Sequence, residues 1–183
     1  DVKEVGKNRF ECKMKPDVPS DYSFPDHHIY WFLMKIEGAK DQRVTVDIMN
    51  CDWDERIWWY SKPVYSYSDP NDLKTGDWSW KRITNTFFGS KPFPSTFTFT
   101  QYFLQDEVWV AERFPYNYTY GQRYVESMEG NPYVKREIVG KTAEGRNIDM
   151  IFITDSQVPD EEKKGVWVYA RVHAMEQDGS WVI

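Results

Sequence analysis

Cysteine, histidine and long apolar runs are all scarce in this sequence. Its 183 residues include two cysteines, Cys12 and Cys51, and three histidines. Two cysteines are too few for a disulfide-rich scaffold or a cysteine-rich zinc site, and their spacing gives no support to the single bridge that they could form. No run approaches the roughly eighteen consecutive apolar residues of a membrane-spanning helix, so we expect no membrane span.

Positive charge is also in short supply. Lysine and arginine number 23 against 29 aspartates and glutamates, which gives a net charge of −6, and no basic cluster stands out. We therefore expect no nucleic-acid partner. Apolar residues make up 40% of the chain and aromatic residues 17%, which favours a packed core over disorder. The chain starts at Asp1 without a methionine, so we expect processing or trimming ahead of it.

Alternating apolar and polar residues dominate the first two-thirds of the chain. Four strands are predicted from this alternation and from flanking turn residues: 28–36, 43–49, 95–103 and 107–113. In the second of them Val44, Val46 and Ile48 share one face. No helical period of useful length appears between residues 29 and 111. The pattern predicts an antiparallel β-sandwich as the first domain, residues 1–117.

The pattern changes near Pro115, and we place a second domain at residues 118–183. Its predicted elements are a helix at 118–129, hairpin strands at 133–139 and 147–153, and a strand at 165–172. Thr119 is the predicted helix cap and Gly130 begins the stop signal. The almost continuously apolar run at 165–172 is typical of a strand covered on both faces.

His173 and Glu176 carry the strongest chemical signal. They stand three residues apart, directly after the last predicted strand, and open α/β folds place their sites at the carboxyl ends of strands. Imidazole nitrogen and carboxylate oxygen are both zinc ligands, and a catalytic zinc commonly has three protein ligands plus a water. Spacing alone also fits two solvated loop side chains, so the surrounding sequence has to decide.

That surrounding sequence resembles the zinc carboxypeptidases. Residues 169–183 are similar to the first zinc-binding segment of the cytosolic carboxypeptidase-like branch, where Ala-Arg-x-His-Pro-Gly-Glu leads into a Ser-Trp-Val helix start. Other similar motifs follow the family's order: Asn50, Trp53, Lys62-Pro-Val-Tyr65, Phe97-Thr-Phe-Thr100, Ala111, Phe114-Pro-Tyr-Asn-Tyr-Thr119, Gly140-Lys-Thr-Ala-Glu-Gly-Arg146 and Ile151-Phe-Ile-Thr154. The resemblance covers most of residues 30–183.

The resemblance implies a fold, an activity and a metal. Residues 118–183 become the opening of an α/β carboxypeptidase domain, and His173 and Glu176 become two ligands of one zinc ion. The parent protein is then a zinc-dependent metallocarboxypeptidase that hydrolyses carboxy-terminal residues of peptides or proteins, with acidic tails as the favoured substrates. A cytoplasmic location is also implied, while periplasmic or secreted locations and the oligomeric state stay open.

Two features of the sequence depart from a complete enzyme. The family's third zinc ligand, a histidine, and its catalytic glutamate come later than anything in these 183 residues. We therefore expect the chain alone to be inactive and to hold zinc weakly or not at all. Ala174 and Met175 also replace the family's Pro-Gly between the two ligands, so a degenerate, non-catalytic member is an open alternative.

Several other residues are weaker candidates. Arg171 either supports the site or serves the strand structurally, and Arg146 is expected to fix the hairpin or the domain junction. His27 and His28 are the only further histidines, and exposed loop positions are the default for them. Ser61 and Ser180 lack a neighbouring base or a nucleophile-elbow pattern.

The tryptophan-rich stretches support an alternative function. Residues 58–60, Trp-Trp-Tyr, and 78–80, Trp-Ser-Trp, could form an aromatic platform for a glycan or an anchor for a protein partner. The chain would then be a β-sandwich binding module with a vestigial metal site. Core packing is the more frequent role for such large aromatic side chains, and a merely structural role for the sandwich is a third reading.

Overall fold

The chain divides into two compact units in a computed structural model, which describes residues 1–15, 31–51, 55–72, 79–89, 95–171 and 176–182, the side chains of 55–57 excepted. One unit comprises Asp1–Tyr116 with Ala170–Ile183, and the other comprises Asn117–Tyr169. Each is described by itself below. In the part of the chain that the structure describes, no helix has the length and apolar character needed to cross a membrane.

The first unit is built on two β-sheets. Its elements are β1 (Val2–Gly6), β2 (Arg9–Cys12), β3 (Leu33–Ile36), β4 (Gln42–Ile48), α1 (Glu55–Tyr60), β5 (Val64–Ser66), β6 (Lys81–Arg82), β7 (Thr86–Gly89), β8 (Thr96–Phe103), β9 (Val108–Ala111) and α3 (Gln177–Val182). A five-stranded sheet has the order β1-β2-β4-β8-β7, and a four-stranded sheet has the order β3-β9-β5-β6. The predicted mainly β, antiparallel architecture is confirmed.

One strand pair departs from the antiparallel rule. β2 runs parallel to β4, with Arg9 opposite Thr45 and Cys12 opposite Ile48. Parallel neighbours need a crossover connection of a dozen or more residues, and here the chain visits β3 in the other sheet before it returns as β4. The Asn50 side chain extends this pairing, because its amide accepts from the Met14 N–H at 2.9 Å and donates to the Met14 carbonyl at 3.0 Å.

The core lies between the inner faces of the two sheets, as the alternation predicts. Val44, Val46 and Ile48 of β4 are buried, and so are three phenylalanines of the neighbouring β8: Phe97, Phe99 and Phe103. The four-stranded sheet contributes Val108 and Val110 to the same cluster. Cys12 and Cys51 are buried there as free thiols, so no bridge joins them. Burial raises the pKa of the Cys12 thiol, which favours its protonated form.

A short helix stands where no helix is predicted. α1 spans Glu55–Tyr60, and its Trp58 is fully buried. The Trp58 ring stacks 6.5 Å from Phe32 and lies 5.4 Å from Phe97, centroid to centroid. A six-residue helix is too short to show a helical period, so tertiary packing and not sequence pattern fixes it.

The second unit contains a helix and a hairpin. Its elements are α2 (Tyr118–Ser127), β10 (Val134–Lys141), β11 (Asn147–Ile153) and a 3₁₀ turn at Asp160–Glu162. The hairpin prediction is confirmed, with Lys141 opposite Asn147 at the turn. The predicted helix cap is wrong: Asn117 caps α2, accepting from the Tyr120 N–H at 2.8 Å, because asparagine ranks above threonine at this position.

The predicted strand at 165–172 is also wrong over the residues that the structure describes. Residues 163–171 belong to no strand or helix, and Val166 and Trp167 are 85% and 73% exposed. An apolar run becomes a buried strand only where a neighbouring strand supplies backbone partners, and none of the strands in the described ranges pairs with it.

Candidate metal-binding segment

Tyr116 organises the segment that contains Glu176. Its backbone N–H donates to the side-chain oxygen of Gln177 at 2.8 Å, and its carbonyl accepts from the Arg171 guanidinium. Tyr116 follows the end of β9 by five residues, whereas Arg171 and Gln177 come more than fifty residues later. The side chains of Arg171 and Gln177 are thus hydrogen-bonded to the carbonyl and the N–H of Tyr116, respectively.

Aromatic contacts reinforce this attachment. The Tyr116 ring meets the Trp181 ring edge-on, with centroids 5.1 Å apart. The Trp181 indole N–H donates to the Phe114 carbonyl at 3.3 Å, and the Arg82 guanidinium lies 5.1 Å from the centre of the Phe114 ring. α3 is therefore held against residues 114–116 by side chains from both ends of the helix.

Gln177 is fully buried, and only one of the two polar atoms of its side chain has a hydrogen-bond partner. Its side-chain oxygen takes the Tyr116 hydrogen bond, but its amide nitrogen, Nε2, is buried without a hydrogen-bond partner. A buried donor left unpaired costs about 1–3 kcal/mol.

Arg171 adopts an uncommon backbone conformation at the entry to the candidate segment. Its φ is +63°, in the left-handed region that non-glycine residues seldom adopt. Burial lowers the pKa of its guanidinium, and the nearby Tyr116 opposes that shift. Arginine pKa values start so high that the group stays charged at neutral pH. The proposed supporting role of Arg171 is thus compatible with its place beside Tyr116.

The first unit contains a second buried polar cluster, centred on Glu112. The Glu112 carboxylate is 3% exposed, accepts from the Ser61 hydroxyl at 3.1 Å and pairs with the Arg113 guanidinium. The Glu112 hydrogen bonds raise the pKa of Arg113 against the effect of burial, and the charge of Asp178 adds to that rise. Ser61 thus has a structural partner, and Arg113 brings a permanent positive charge close to α3.

Of the two candidate ligands, the structure describes Glu176 but not His173. Glu176 is half-buried and directly precedes α3. His173 lies outside the described residues, together with Ala174, Met175, His27 and His28. Within the described ranges no three or more His, Cys, Asp or Glu side chains come together in a way that could hold a metal ion. The donor types of the His173–Glu176 pair fit zinc, and the pairing of the two stays a prediction.

Arg146 makes the contacts expected of a hairpin residue. Its backbone closes the turn, with its carbonyl accepting from the Thr142 N–H at 2.8 Å. Its guanidinium pairs with Glu144 at 2.6 Å and lies 5.6 Å from the centre of the Tyr118 ring. The hairpin turn is thereby joined to the first residue of α2 within the second unit.

The aromatic stretches separate into core and surface. Trp58 is buried in the sandwich, whereas Trp59 and Tyr60 are 61% and 82% exposed. Trp78 lies outside the described residues. With Trp58 inside the core, residues 58–60 cannot present a continuous aromatic platform, so the structure gives no support to the glycan-module alternative.

Comparison with known proteins places the segment in a family context. Residues 122–183 match the family model described as zinc carboxypeptidase. The resemblance to the zinc carboxypeptidases is confirmed. The matched range includes both His173 and Glu176, and zinc is part of that family's description. The match begins four residues after the start of α2 and therefore covers most of the second predicted domain.

Curated relatives extend the similarity over the whole chain. The chain is 31% identical over 198 residues to cytosolic carboxypeptidase 2 from Homo sapiens, covering 98% of this chain and 21% of that protein. It is 27% identical over 197 residues to cytosolic carboxypeptidase 6 from Mus musculus, covering 99% of this chain and 34% of that protein. The chain thus spans between about a fifth and a third of the length of these two relatives.

Solved structures share the fold. A putative carboxypeptidase A from Shewanella denitrificans aligns with a TM-score of 0.65 at 19% identity, covering 90% of this chain and 39% of that chain. A metallo-carboxypeptidase from Pseudomonas aeruginosa aligns with a TM-score of 0.62 at 24% identity, covering 82% and 36%. At these identities the likeness concerns the fold alone.

Proposed function

We propose that the protein is a zinc-dependent metallocarboxypeptidase that hydrolyses carboxy-terminal residues of peptides or proteins. The observation that carries the proposal is the family match over residues 122–183, because that range contains the His173–Glu176 pair. Similarity to cytosolic carboxypeptidases along nearly the whole chain supports it. In this proposal residues 1–117 are an amino-terminal sandwich domain and residues 118–183 open the catalytic domain.

His173 and Glu176 would hold the zinc ion through an imidazole nitrogen and a carboxylate oxygen. When bound, such a zinc polarises the scissile carbonyl and activates a water. Among the described residues, Arg171 and Gln177, which flank this segment in sequence, are both hydrogen-bonded to Tyr116. This proposal assigns the third ligand and the general base to none of the described residues.

The proposal also includes a substrate class and a cellular compartment. Acidic carboxy-terminal tails are the substrates that the family resemblance implies. A cytoplasmic location is supported by the names of the cytosolic relatives. We propose no nucleic-acid or membrane partner.

The test uses the protein expressed from its complete gene. Its zinc content would be measured by metal analysis. Its release of carboxy-terminal residues would be measured on two matched peptides, one ending in glutamate and one in lysine. We expect one zinc ion per catalytic domain and faster cleavage of the acidic peptide. His173→Ala and Glu176→Gln should abolish both zinc retention and cleavage, whereas the matched controls His28→Ala and Glu162→Gln should retain both.

Two results would refute the proposal. The first is a protein that folds but neither retains zinc nor releases terminal residues from any peptide. The second is full activity in His173→Ala, which would place the chemistry elsewhere. Equal cleavage of both peptides would remove only the acidic-tail preference.

A further inference from the structure

The first unit carries a basic surface, defined by Lys62 and Arg82, beside residues 114–116. Both side chains are exposed. The Arg82 guanidinium donates to the Lys62 carbonyl at 3.2 Å and lies 5.1 Å from the centre of the Phe114 ring. The Lys62 ammonium donates to the Thr86 hydroxyl at 2.7 Å. Two positive charges are thus held on the same part of the surface by neutral groups.

Neither of these charges pairs with a carboxylate within the part of the chain that the structure describes. Arg113, one residue before Phe114, differs in this respect, because it pairs with the buried Glu112 and the charge of Asp178 also acts on it. The chain as a whole is acidic, with a net charge of −6. Lys62 and Arg82 therefore make a local positive surface that a negatively charged partner can bind.

The basic surface adjoins the segment that contains Glu176. Trp181 of α3 donates through its indole N–H to the Phe114 carbonyl, and its ring packs edge-on against Tyr116. α3 begins directly after Glu176 and has six residues, so it is about 9 Å long. An extended peptide rises about 3.3 Å per residue, so about three residues of a substrate cover that length.

We propose that Lys62 and Arg82 bind acidic residues that precede the scissile bond in the carboxy-terminal tail of a protein substrate. The inference rests on the proposed function and deepens it, because it assigns recognition of an acidic tail to the sandwich domain. A guanidinium has five N–H donors, and the Lys62 carbonyl takes one of those of Arg82. The others are sufficient for a two-pronged bond to a carboxylate.

The exposure of both side chains determines what kind of effect is expected. Ion pairs at an exposed surface are individually weak, and salt screens them. Lys62 and Arg82 should therefore change how tightly an acidic tail binds, and hence KM, whereas kcat should stay nearly constant. The four basic residues near Phe114 and Tyr116, at positions 62, 82, 113 and 171, are far apart in sequence, so no run of charge reveals this surface.

Two peptides test the inference in the protein expressed from its complete gene. Both end in two glutamates, which are preceded by a run of glutamates in one peptide and by a run of glutamines in the other. The wild type should show the lower KM for the glutamate-run peptide. That advantage should shrink as the sodium chloride concentration rises.

Lys62→Gln and Arg82→Gln should each raise KM for the glutamate-run peptide about 2–5-fold. KM for the glutamine-run peptide and kcat for both should change little, and Arg82→Lys should keep most of the wild-type affinity. The matched controls are Lys3→Gln and Arg43→Gln, which remove the same charge from exposed positions on β1 and β4 of the five-stranded sheet. They should leave KM unchanged.

Binding of the labelled glutamate-run peptide to the metal-free protein, followed by fluorescence anisotropy, gives a readout that does not depend on cleavage. The inference would be overturned if both variants kept the wild-type KM and affinity for this peptide. It would equally be overturned if Lys3→Gln and Arg43→Gln weakened binding as much, since the effect would then come from net charge. Should Arg82→Gln fail to fold, Lys62→Gln decides. A wild type that binds this peptide more tightly than both variants, yet cleaves neither peptide, would support the basic surface and refute the proposed function.

Discussion

Gly179 and Ala170 approach each other so closely that a β-carbon on Gly179 would stand 2.9 Å from the β-carbon of Ala170. Gly179 is the third residue of α3, and Ala170 directly precedes Arg171. The absence of a side chain at Gly179 thus allows α3 to lie against the chain just before the candidate ligands. This contact complements the two hydrogen bonds to Tyr116.

Replacing Gly179 with alanine should destabilise this segment. Alanine is favoured over glycine inside a helix by about 1 kcal/mol, but overpacking against a rigid neighbour costs typically about 1–3 kcal/mol. The clash should win, because the atom met is the short, inflexible side chain of Ala170 and not the end of a long one. Amide hydrogen exchange of α3 should show lower protection in Gly179→Ala.

The double variant Ala170→Gly/Gly179→Ala is the control. It removes the opposing β-carbon and keeps the helix-favouring alanine, so protection of α3 should return. If the double variant were as poorly protected as Gly179→Ala, steric contact with Ala170 would not be the cause.

The cap of α2 gives a second prediction. Asn117→Ala removes the acceptor of the Tyr120 N–H and should destabilise α2 by about 0.5–2 kcal/mol. Thr119→Ala, at the position that the sequence pattern favours, should change stability by no more than about 0.5 kcal/mol. Exchange rates of the α2 amides measure both, and a larger effect of Thr119→Ala would contradict the assignment.

The alternation of apolar and polar residues predicted the core because successive strand positions face opposite sides of the sheet. Val44, Val46 and Ile48 alternate with polar residues, and that alternation alone assigns them to a buried face. The asparagine cap also had a local signal, since Asn117 is the better capping residue. The predicted helix start, residue 118, coincides with the start of α2, so the capping position directly before it belongs to Asn117, and Thr119 lies inside the helix.

Positions fixed by distant contacts had no local signal. Gln177 is an ordinary polar residue in sequence, and only its bond to Tyr116, sixty-one residues earlier, marks it. Trp58 enters the core on a helix too short to show a period. The apolar run at 165–169 correctly suggests a need for burial, but hydrophobicity cannot reveal whether a neighbouring strand is at hand to pair with it.

The burial of Trp58 predicts that replacing Trp58 lowers the stability of the protein far more than replacing its neighbour Trp59. Trp58→Ala should cost about 3–5 kcal/mol in the free energy of unfolding, because it removes a fully buried ring that packs against Phe32 and Phe97. Trp59→Ala, at an exposed position, should cost about 0.5 kcal/mol or less. Urea denaturation followed by tryptophan fluorescence measures both, and equal losses would contradict the placement of Trp58.

Asp149 predicts an acid sensitivity in the second unit. Burial works to raise the pKa of its carboxyl, but hydrogen bonds from Arg136 and Gln122 outweigh burial and leave the pKa lowered. A carboxyl with a lowered pKa contributes stability above its unfolded pKa, about 3.9 for aspartate, and loses it as pH falls through the folded value. Protection of the β10–β11 hairpin should therefore be constant from pH 7 to pH 5 and fall below about pH 4.

Asp149→Asn is the control for this titration. It cannot ionise, so protection of the hairpin should be lower than in the wild type at pH 7 and should change less between pH 5 and pH 3. An acid profile identical to that of the wild type would assign the sensitivity to another carboxyl group.

Metal occupancy of the 183-residue chain itself is the last prediction. His173 and Glu176 supply two ligands, whereas a catalytic zinc commonly has three, and a site missing one strong bond loses much of its affinity. The described residues offer no cluster of three or more metal-binding side chains that would replace it. Metal analysis after dialysis should therefore find well under one zinc per chain, and the chain should not hydrolyse peptides. About one zinc per chain, lost on His173→Ala, would contradict this expectation. It would mean that a third ligand comes from these residues or from a neighbouring copy, and His27→Ala and His28→Ala would then identify it.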